Sequence, residues 1–213
     1  MVRVLIVDDH PLFRQGLVAL LSKTSDVNVV AEASDGDEAL VMARNHKPDL
    51  VLLDIALPVK DGMEVLKSLN SEMPEVKVLV LSAYPDNQYA VRCLKSGAKG
   101  YVTKRTAPEE IMTAIRKVMG GGNYVSAALA ELLASQVNSA TAPSLHDRLS
   151  CREFQILCLF GQGKTVSHIA ETLSLSLSTV STHRAHILEK MGMKTNAQLI
   201  KYVIDNNLAA MIE

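Results

Sequence analysis

The sequence predicts two domains: an α/β domain built on a parallel sheet, and a smaller all-α domain. Short apolar runs alternate with amphipathic helical patterns up to residue 120, which is typical of a parallel sheet with helices on both faces. After the glycines at 120–122 the alternation stops, and from Leu149 onward only helical patterns follow. A length of 213 residues is sufficient for two small domains.

Five apolar runs are the predicted strands, and amphipathic helices connect them. The strands are residues 2–7, 27–33, 50–54, 76–82 and 100–104. Asp35 is a candidate N-cap for the second helix, and Gly97 a candidate C-cap for the fourth. In the first helix, "PLFRQGLVALL", the helical spacing places five apolar residues on one face: Leu12, Phe13, Leu17, Leu20 and Leu21.

The remainder of the chain gives the other predicted boundaries. "VSAALAELLASQV" (125–137) predicts one helix, and the small polar stretch "NSATAPS" (138–144) predicts a linker. We therefore expect an α/β domain at 1–122, a linker with a helix at 123–146 and an all-α domain at 147–213.

Composition excludes several classes of protein. The chain has no apolar run of 18 residues and no signal-peptide pattern. Its three cysteines are widely spaced, which favours reduced thiols in a cytoplasmic protein over disulfides or a zinc site. A net charge of −1 gives no sign of nucleic-acid binding by itself.

Polar side chains stand where four of the predicted strands end. Asp8 and Asp9 follow the first strand, and Asp54, Ser82 and Lys104 end the third, fourth and fifth. In a parallel sheet these ends meet at one edge, where ligands bind. One such residue would be an ordinary solvated strand end, but the whole set indicates a site.

The residue types at this edge favour phosphoryl chemistry. Three neighbouring carboxylates repel one another unless a cation neutralises them, and Mg²⁺ binds a few carboxylates while sharing a phosphate. Lys104 and Ser82 can bind further phosphoryl oxygens. An aspartate can itself be the nucleophile and form an acyl phosphate.

These residues resemble the receiver domain of bacterial response regulators. The resemblance rests on Asp8-Asp9, on Asp54 followed by "xxLPxxDG", on Ser82-Ala83, on "SGAKGY" and on Lys104. It implies a flavodoxin-like, doubly wound five-stranded sheet of order 2-1-3-4-5.

The resemblance also implies a role for each residue. Asp54 would accept phosphate from a phosphohistidine of a sensor histidine kinase. Asp9, Asp54 and the backbone carbonyl of Ala56 would bind Mg²⁺, with Asp8 helping through water. Ser82 and Lys104 would hold the phosphoryl group, and Tyr101 would swing inward as Ser82 moves. Arg105 follows the lysine where many receivers have proline, so the next loop can differ.

A phosphatase of the haloacid-dehalogenase type also uses a strand-end aspartate and Mg²⁺. That class needs a second acid two residues later, and Ala56 stands at this position. We therefore expect no enzyme activity beyond self-catalysed phosphoryl acceptance and slow dephosphorylation at Asp54.

The all-α half contains two short helical patterns around a tight turn at 174–176. Ile169, Ala170 and Leu173 share a face of the first, and Val180, Ile187, Leu188 and Met191 line the second. Ser178 is a candidate N-cap for the second helix. Periodicity alone favours a generic helical hairpin over a helix-turn-helix.

Residues 149–203 resemble the LuxR-type DNA-binding domain from end to end. The marks are Leu149-Ser150, Arg152-Glu153, Gly161, Gly163, Ile169-Ala170, "STVSTH" and "ILEKMGMKTNAQL". Together with the receiver, this is the arrangement of response regulators of the NarL/FixJ type.

This second resemblance implies which residues bind double-stranded DNA. Ser181, Thr182 and Ala185 would face the floor of the major groove. The candidates for phosphate or base contacts are Thr179, His183, Arg184, His186, Lys190 and Lys194. The last helix, "NAQLIKYVIDNNL", carries an apolar stripe of Leu199, Ile200, Val203 and Ile204. We expect part of this stripe to supply a dimer contact, through Leu199, Ile200 and Val203; the alternative is that much of the stripe is core.

The leading hypothesis is a cytoplasmic transcription regulator, phosphorylated on Asp54, that binds DNA as a homodimer. One alternative is a phosphorylation-independent regulator whose pocket is vestigial or binds a ligand. A protein–protein adaptor is disfavoured by the second domain.

Overall fold

The computed structural model describes residues 1–57, 60–83, 88–137, 144–173, 175–206 and 208. The chain forms two compact units, Met1–Asn138 and Ser139–Glu213. Most of the predicted polar linker, residues 138–143, and Ser174 of the predicted turn lie outside the described residues.

The first unit contains one sheet of five parallel strands. The strands are β1 (Val2–Val7), β2 (Val27–Ala33), β3 (Leu50–Asp54), β4 (Lys77–Ser82) and β5 (Gly100–Thr103), in the order β2-β1-β3-β4-β5. Every residue of β3 is buried, because this strand is central and covered on both faces. The predicted fold class and strand order are confirmed.

Five helices alternate with the strands. They are α1 (Pro11–Leu21), α2 (Gly36–His46), α3 (Gly62–Glu72), α4 (Gln88–Lys95) and α5 (Pro108–Met119). Apolar residues of α1 and α5, including Leu17, Leu21 and Ile115, form one core with the side chains of Ile6 and Leu52. Right-handed crossovers then place α2, α3 and α4 on the opposite face.

The predicted apolar face of α1 is wrong at its first member. Leu17 and Leu21 are buried, but Leu12 is 85% exposed. The helix begins at Pro11, directly after the loop at the carboxyl end of β1. Its first turn therefore lies at the edge of the sheet, which leaves Leu12 outside the core.

After α5 the chain returns to the sheet before the next helix begins. Tyr124 forms a parallel bridge with Gly100, and its carbonyl accepts a 3.1 Å hydrogen bond from the N–H of Tyr101. Helix α6 (Ala127–Val137) follows and buries Leu129 completely. The predicted helix at 125–137 is therefore present, two residues shorter at its start.

The second unit is helical throughout its described part. A 3₁₀ turn (Leu145–Arg148) leads into α7 (Cys151–Gly161), α8 (Val166–Thr172), α9 (Leu177–Met191) and α10 (Asn196–Asp205). A serine or threonine caps each of these α-helices, since side-chain oxygens of Ser150, Thr165, Ser176 and Thr195 accept N–H groups of the first turn.

The predicted cap of α9 is wrong by two residues. Ser176 is extended and its Oγ accepts the N–H of Thr179 at 3.0 Å, whereas Ser178 lies inside the helix. Serine recurs at every second position from 174 to 178, so the sequence offers several equivalent caps. The end of the preceding turn decides which one is used.

The core of the second unit requires close contact between α7 and α10. A Cβ atom at Gly161 would lie 2.1 Å from Cγ1 of Val203, which is closer than atoms can approach. Val203 and Leu199 are completely buried. Glycine at 161 therefore lets α10 pack directly against the end of α7.

Candidate functional site

The carboxyl edge of the sheet gathers the predicted acidic residues. Asp8 and Asp9 directly follow β1, and Asp54 is the last residue of β3. Asp8 and Asp54 are each only 1% exposed. Ligand atoms of Asp8, Asp9, Asp54 and the neighbouring His10 all lie within 4.8 Å of one another, which is a suitable grouping for one metal ion.

Lys104 forms ion pairs with two of these carboxylates. Its Nζ atom lies 2.7 Å from Oδ2 of Asp8 and 2.7 Å from Oδ2 of Asp54. The same ammonium lies 4.9 Å from the centre of the Phe13 ring. Burial alone would lower the pKa of Lys104, but the two carboxylates outweigh burial and raise it. Lys104 is therefore held in its charged form.

Local backbone bonds orient the two buried carboxylates. The N–H of His10 donates to Oδ1 of Asp8 at 2.9 Å, and the N–H of Ala56 donates to Oδ1 of Asp54 at 3.0 Å. In each residue the other oxygen, Oδ2, is the atom nearest to Lys104. One oxygen of each carboxylate is thus fixed by the chain, and the other is presented to cations.

Gly62 allows α3 to start directly beside Asp54. A Cβ atom at this position would lie 2.5 Å from the carbonyl oxygen of Asp54. The N–H of Gly62 donates to the carbonyl of Ile55 at 3.2 Å, and Asp61 caps the helix through the N–H of Met63. The glycine of this "DG" is therefore required because the backbone of α3 approaches the backbone at Asp54 closely, and the aspartate serves as the cap.

The other predicted pocket residues lie on the neighbouring strands. Ser82 is the last residue of β4 and is completely buried, and Tyr101 lies inside β5 with 1% exposure. The N–H of Lys104 donates to the carbonyl of Ser82 at 2.7 Å. The turn that follows, with Arg105, is closed by a 3.0 Å bond from the N–H of Thr106 to the carbonyl of Thr103.

In the second unit, α9 and, for Lys194, the segment after it carry the residues that the sequence predicts for DNA binding. Ser181, Thr182 and Ala185 are exposed, as are His186, Lys190 and Lys194, while Thr179, His183 and Arg184 are half-buried. The hydroxyls of Ser181 and Thr182 donate to backbone carbonyls one turn earlier. Their oxygens can therefore still accept hydrogen bonds from a ligand.

Two of the predicted contact residues also have partners within the unit. Lys190 Nζ lies 2.7 Å and 2.8 Å from the two carboxylate oxygens of Glu153, which is buried. Arg184 Nε donates to Oδ1 of Asn196 at 2.5 Å. A DNA phosphate that contacts Lys190 or Arg184 would therefore compete with Glu153 or Asn196 for the same cation.

Glu153 itself was not among the predicted site residues. Its carboxylate accepts the N–H of Ser150 at 2.7 Å, which completes a capping box at the start of α7. Burial would raise the pKa of Glu153, but the hydrogen bonds from Lys190 and Ser150 prevail and lower it. The S-x-x-E pattern at 150–153 was the available sequence signal.

Burial requires a correction to the predicted dimer contact on α10. Leu199 and Val203 are 0% exposed and belong to the core of the second unit, so neither can reach another chain in this conformation. Ile200 is half-buried, and Ile204 on the same helix is 61% exposed. A contact through α10 would therefore use Ile200 and Ile204.

Comparison with known proteins matches both halves of the chain. A family model for the response regulator receiver domain matches residues 4–116, and one for bacterial regulatory proteins of the luxR family matches residues 147–203. The chain belongs to the response regulators with a LuxR-type DNA-binding domain. Both predicted resemblances are thereby confirmed.

Individual relatives agree with this family. The oxygen regulatory protein NreC of Staphylococcus epidermidis is 34% identical, over 97% of this chain and 98% of that protein. A LuxR-family two-component response regulator from Aurantimonas is 31% identical with a TM-score of 0.61, over 65% of this chain and 99% of that one. A structure of two RcsB dimers bound to two parallel DNAs is 26% identical, with a TM-score of 0.58, over 95% of this chain and 97% of that one.

Within the described residues, none of the response regulator's helices combines the length and apolar character needed to cross a membrane.

Besides Glu153, sequence reasoning also missed His10, whose Nδ1 atom lies 2.7 Å from Oδ1 of Asp9. Its position directly after Asp8-Asp9 was the available signal.

Proposed function

We propose that this response regulator is phosphorylated on Asp54 and then controls transcription by binding DNA. The observation that supports this most is the buried Asp54 carboxylate, which has one oxygen fixed by the backbone and the other 2.7 Å from Lys104. In this proposal residues 1–122 are the receiver domain, 123–146 the linker and 147–213 the DNA-binding domain.

The donor set fits Mg²⁺, which prefers oxygen ligands and keeps several waters. Asp9, Asp54 and the Ala56 carbonyl would bind it, with Asp8 acting mainly through water. The ion would neutralise charge on the transferred phosphoryl group and on the carboxylates. Ser82 and Lys104 would then donate to the phosphoryl oxygens.

The proposed transfer is a nucleophilic displacement at phosphorus. Oδ2 of Asp54 forms a bond to phosphorus while the bond to a phosphohistidine nitrogen of a sensor histidine kinase breaks. The histidine leaves with the electron pair, and Asp54 becomes an acyl phosphate. Slow attack of water at the same phosphorus would return the carboxylate.

The phosphoryl dianion would attract Lys104 away from its present position between Asp8 and Asp54. With Ser82 and Tyr101 following, the receiver would shift between two existing states. We propose that this shift permits two chains to bind two half-sites of double-stranded DNA through α9. Since the target is DNA, we place the protein in the cytoplasm of a bacterium.

The test compares wild type with Asp54→Asn, with and without a small-molecule phosphodonor such as acetyl phosphate, in a DNA-binding assay. The proposal predicts that the donor strengthens DNA binding only in wild type. Equal strengthening in both proteins would show that the switch does not lie at Asp54.

A phosphorylation-independent regulator is the second candidate. It is favoured by one observation: Lys104 already lies 2.7 Å from both Asp8 and Asp54, so a cation of the chain itself balances part of the acidic charge. Mg²⁺ binding separates the two candidates. A functional pocket binds Mg²⁺ and loses it on Asp9→Asn, whereas a vestigial pocket shows no Asp9-dependent binding.

A further inference from the structure

Leu177 is an exposed apolar residue at the start of α9. It is 55% exposed, and it is the first residue of the helix, directly after the cap Ser176. The apolar residues of α9 that face the core, Val180, Ile187 and Met191, are all buried. Leu177 therefore makes no comparable contribution to the core. Residues at this end of a recognition helix contact base edges in the major groove of DNA.

Leu177 lies in one row with two residues that are predicted to face the floor of the groove. Residues four positions apart are neighbours on the surface of a helix, which places Leu177, Ser181 and Ala185 in line. Both Ser181 and Ala185 are exposed. The row therefore presents apolar side chains on either side of one hydroxyl.

The hydroxyls on this face of α9 can accept hydrogen bonds but have no proton left to donate. Oγ of Ser181 lies 2.8 Å from the carbonyl oxygen of Leu177. Oγ1 of Thr182 lies 3.0 Å from the carbonyl oxygen of Ser178. A carbonyl oxygen only accepts, so each hydroxyl proton is used inside the helix. The two oxygens can therefore accept from the amine of a base, but the hydroxyls cannot donate to N7 or O6 of guanine.

One kind of base pair matches an apolar row next to acceptor oxygens. In the major groove A·T and G·C pairs each present one amine, but only the A·T pair adds the 5-methyl group of thymine. An exposed leucine side chain gains by covering a methyl group, because apolar surface is removed from water on both sides of the contact. It gains nothing from the acceptor atoms of guanine.

We propose that α9 reads A·T base pairs, with Leu177 as the residue that contacts a thymine methyl group. The oxygens of Ser181 and Thr182 accept hydrogen bonds from the amine of adenine. Leu177 is therefore a specificity residue of this helix. The inference rests on DNA binding through α9, which is part of the proposed function.

The test starts from a duplex that the full chain, treated with acetyl phosphate, selects from a randomised pool. Each thymine of the half-site is replaced in turn by uracil, which lacks only the methyl group, and fluorescence anisotropy measures the dissociation constant. The variants are Leu177→Ala and Leu177→Gln, of which the second keeps most of the side-chain length. Leu145→Ala is the matched control, because Leu145 is an exposed leucine of the second unit outside α9.

We expect at least one thymine whose replacement by uracil weakens wild-type binding by about fourfold, the effect of losing one buried methyl group. Both Leu177 variants should bind the thymine and uracil duplexes equally, whereas Leu145→Ala should discriminate as wild type does.

Equal uracil penalties in wild type and in both Leu177 variants would overturn the role of Leu177. A selected site in which no thymine responds to the replacement would overturn it as well. Failure of the chain to select any duplex would instead overturn DNA binding itself, and with it the proposed function. The two failures are therefore distinguishable.

Discussion

The ammonium nitrogen of Lys104 lies 2.7 Å from Oδ2 of Asp54, the carboxylate proposed to accept phosphate. The same nitrogen lies equally close to Asp8. Lys104 therefore occupies, in the resting pocket, the position of a counter-ion that a dication would share or replace. Phosphoryl acceptance requires that this contact be exchanged for one with the phosphoryl group.

Replacing Lys104 should tighten metal binding. In Lys104→Gln the pocket loses its internal cation, so we expect Mg²⁺ to bind roughly tenfold more strongly, since unlike charges in a partly buried site interact strongly. The matched control is Lys77→Gln, which removes a lysine from the opposite end of β4. Titration with Mg²⁺ measures both, and equal or weaker affinity in Lys104→Gln would contradict competition between Lys104 and the ion.

The ion pair between buried Glu153 and exposed Lys190 should stabilise the second unit. We expect Glu153→Gln to lower the free energy of unfolding by about 1.5–3 kcal/mol, the range for losing a hydrogen bond to a charged group. Asp205→Asn is the control, because it breaks the exposed pair with Lys201 and should cost under about 1 kcal/mol. Denaturant unfolding of both variants measures this, and equal costs would contradict a special role for Glu153.

The same pair gives a pH dependence of known sign. The pKa of Glu153 is lowered in the folded protein, so its contribution to stability is fully present above the unfolded value of about 4.3. It is lost as the pH falls through the lower, folded pKa. The stability difference between wild type and Glu153→Gln should therefore shrink below about pH 4; a difference that grew in acid would contradict the direction of the pKa shift.

Gly161 should tolerate no side chain while Val203 is present. We expect Gly161→Ala to destabilise the second unit by about 1–3 kcal/mol, because the added Cβ overlaps Val203. The double variant Gly161→Ala with Val203→Ala should cost less than the two single changes together. Strict additivity of the three unfolding free energies would show that these residues do not compete for space. Gly16→Ala, at a helical position with open space around it, is the control.

If α9 contacts DNA, a positive charge added to its exposed face should change the affinity for DNA and the salt dependence of that affinity. Ala185→Lys should strengthen DNA binding and steepen its salt dependence by about 0.9 in log–log slope, the value for one additional phosphate contact. Ala130→Lys adds the same charge to an exposed alanine of α6 and should leave the slope unchanged. Binding assays over a salt series measure both, and equal slopes would remove α9 from the DNA interface.

Much of this architecture could be predicted because local patterns and topology agree. The alternation of strands and helices fixed the sheet, and the strand ends placed Asp8, Asp54 and Lys104 at one edge. The helix starts at Asp35 and Asp61 were also readable, since each is an acid that accepts N–H groups of the next turn.

The residues whose roles were predicted wrongly or not at all have a common feature. Their surroundings depend on tertiary contacts, which the periodicity of a sequence does not report. Leu199 and Val203 have the spacing of either a dimer surface or a core, and only the packing of α7 against α10 distinguishes them. Lys190 is a basic residue on a DNA-facing helix by pattern, but Glu153 binds it across the fold. His10 directly follows Asp9 in the sequence, but only the folded structure shows that its Nδ1 atom lies 2.7 Å from Oδ1 of Asp9.

The central claim is that Asp54 accepts the phosphoryl group, and intact-mass measurement after treatment with acetyl phosphate and Mg²⁺ tests it most directly. Wild type should gain the mass of one phosphoryl group and lose it again on incubation at alkaline pH, where acyl phosphates hydrolyse. Asp54→Asn should gain none, while Asp205→Asn should behave as wild type. A phosphoryl group that still appears in Asp54→Asn would contradict the account.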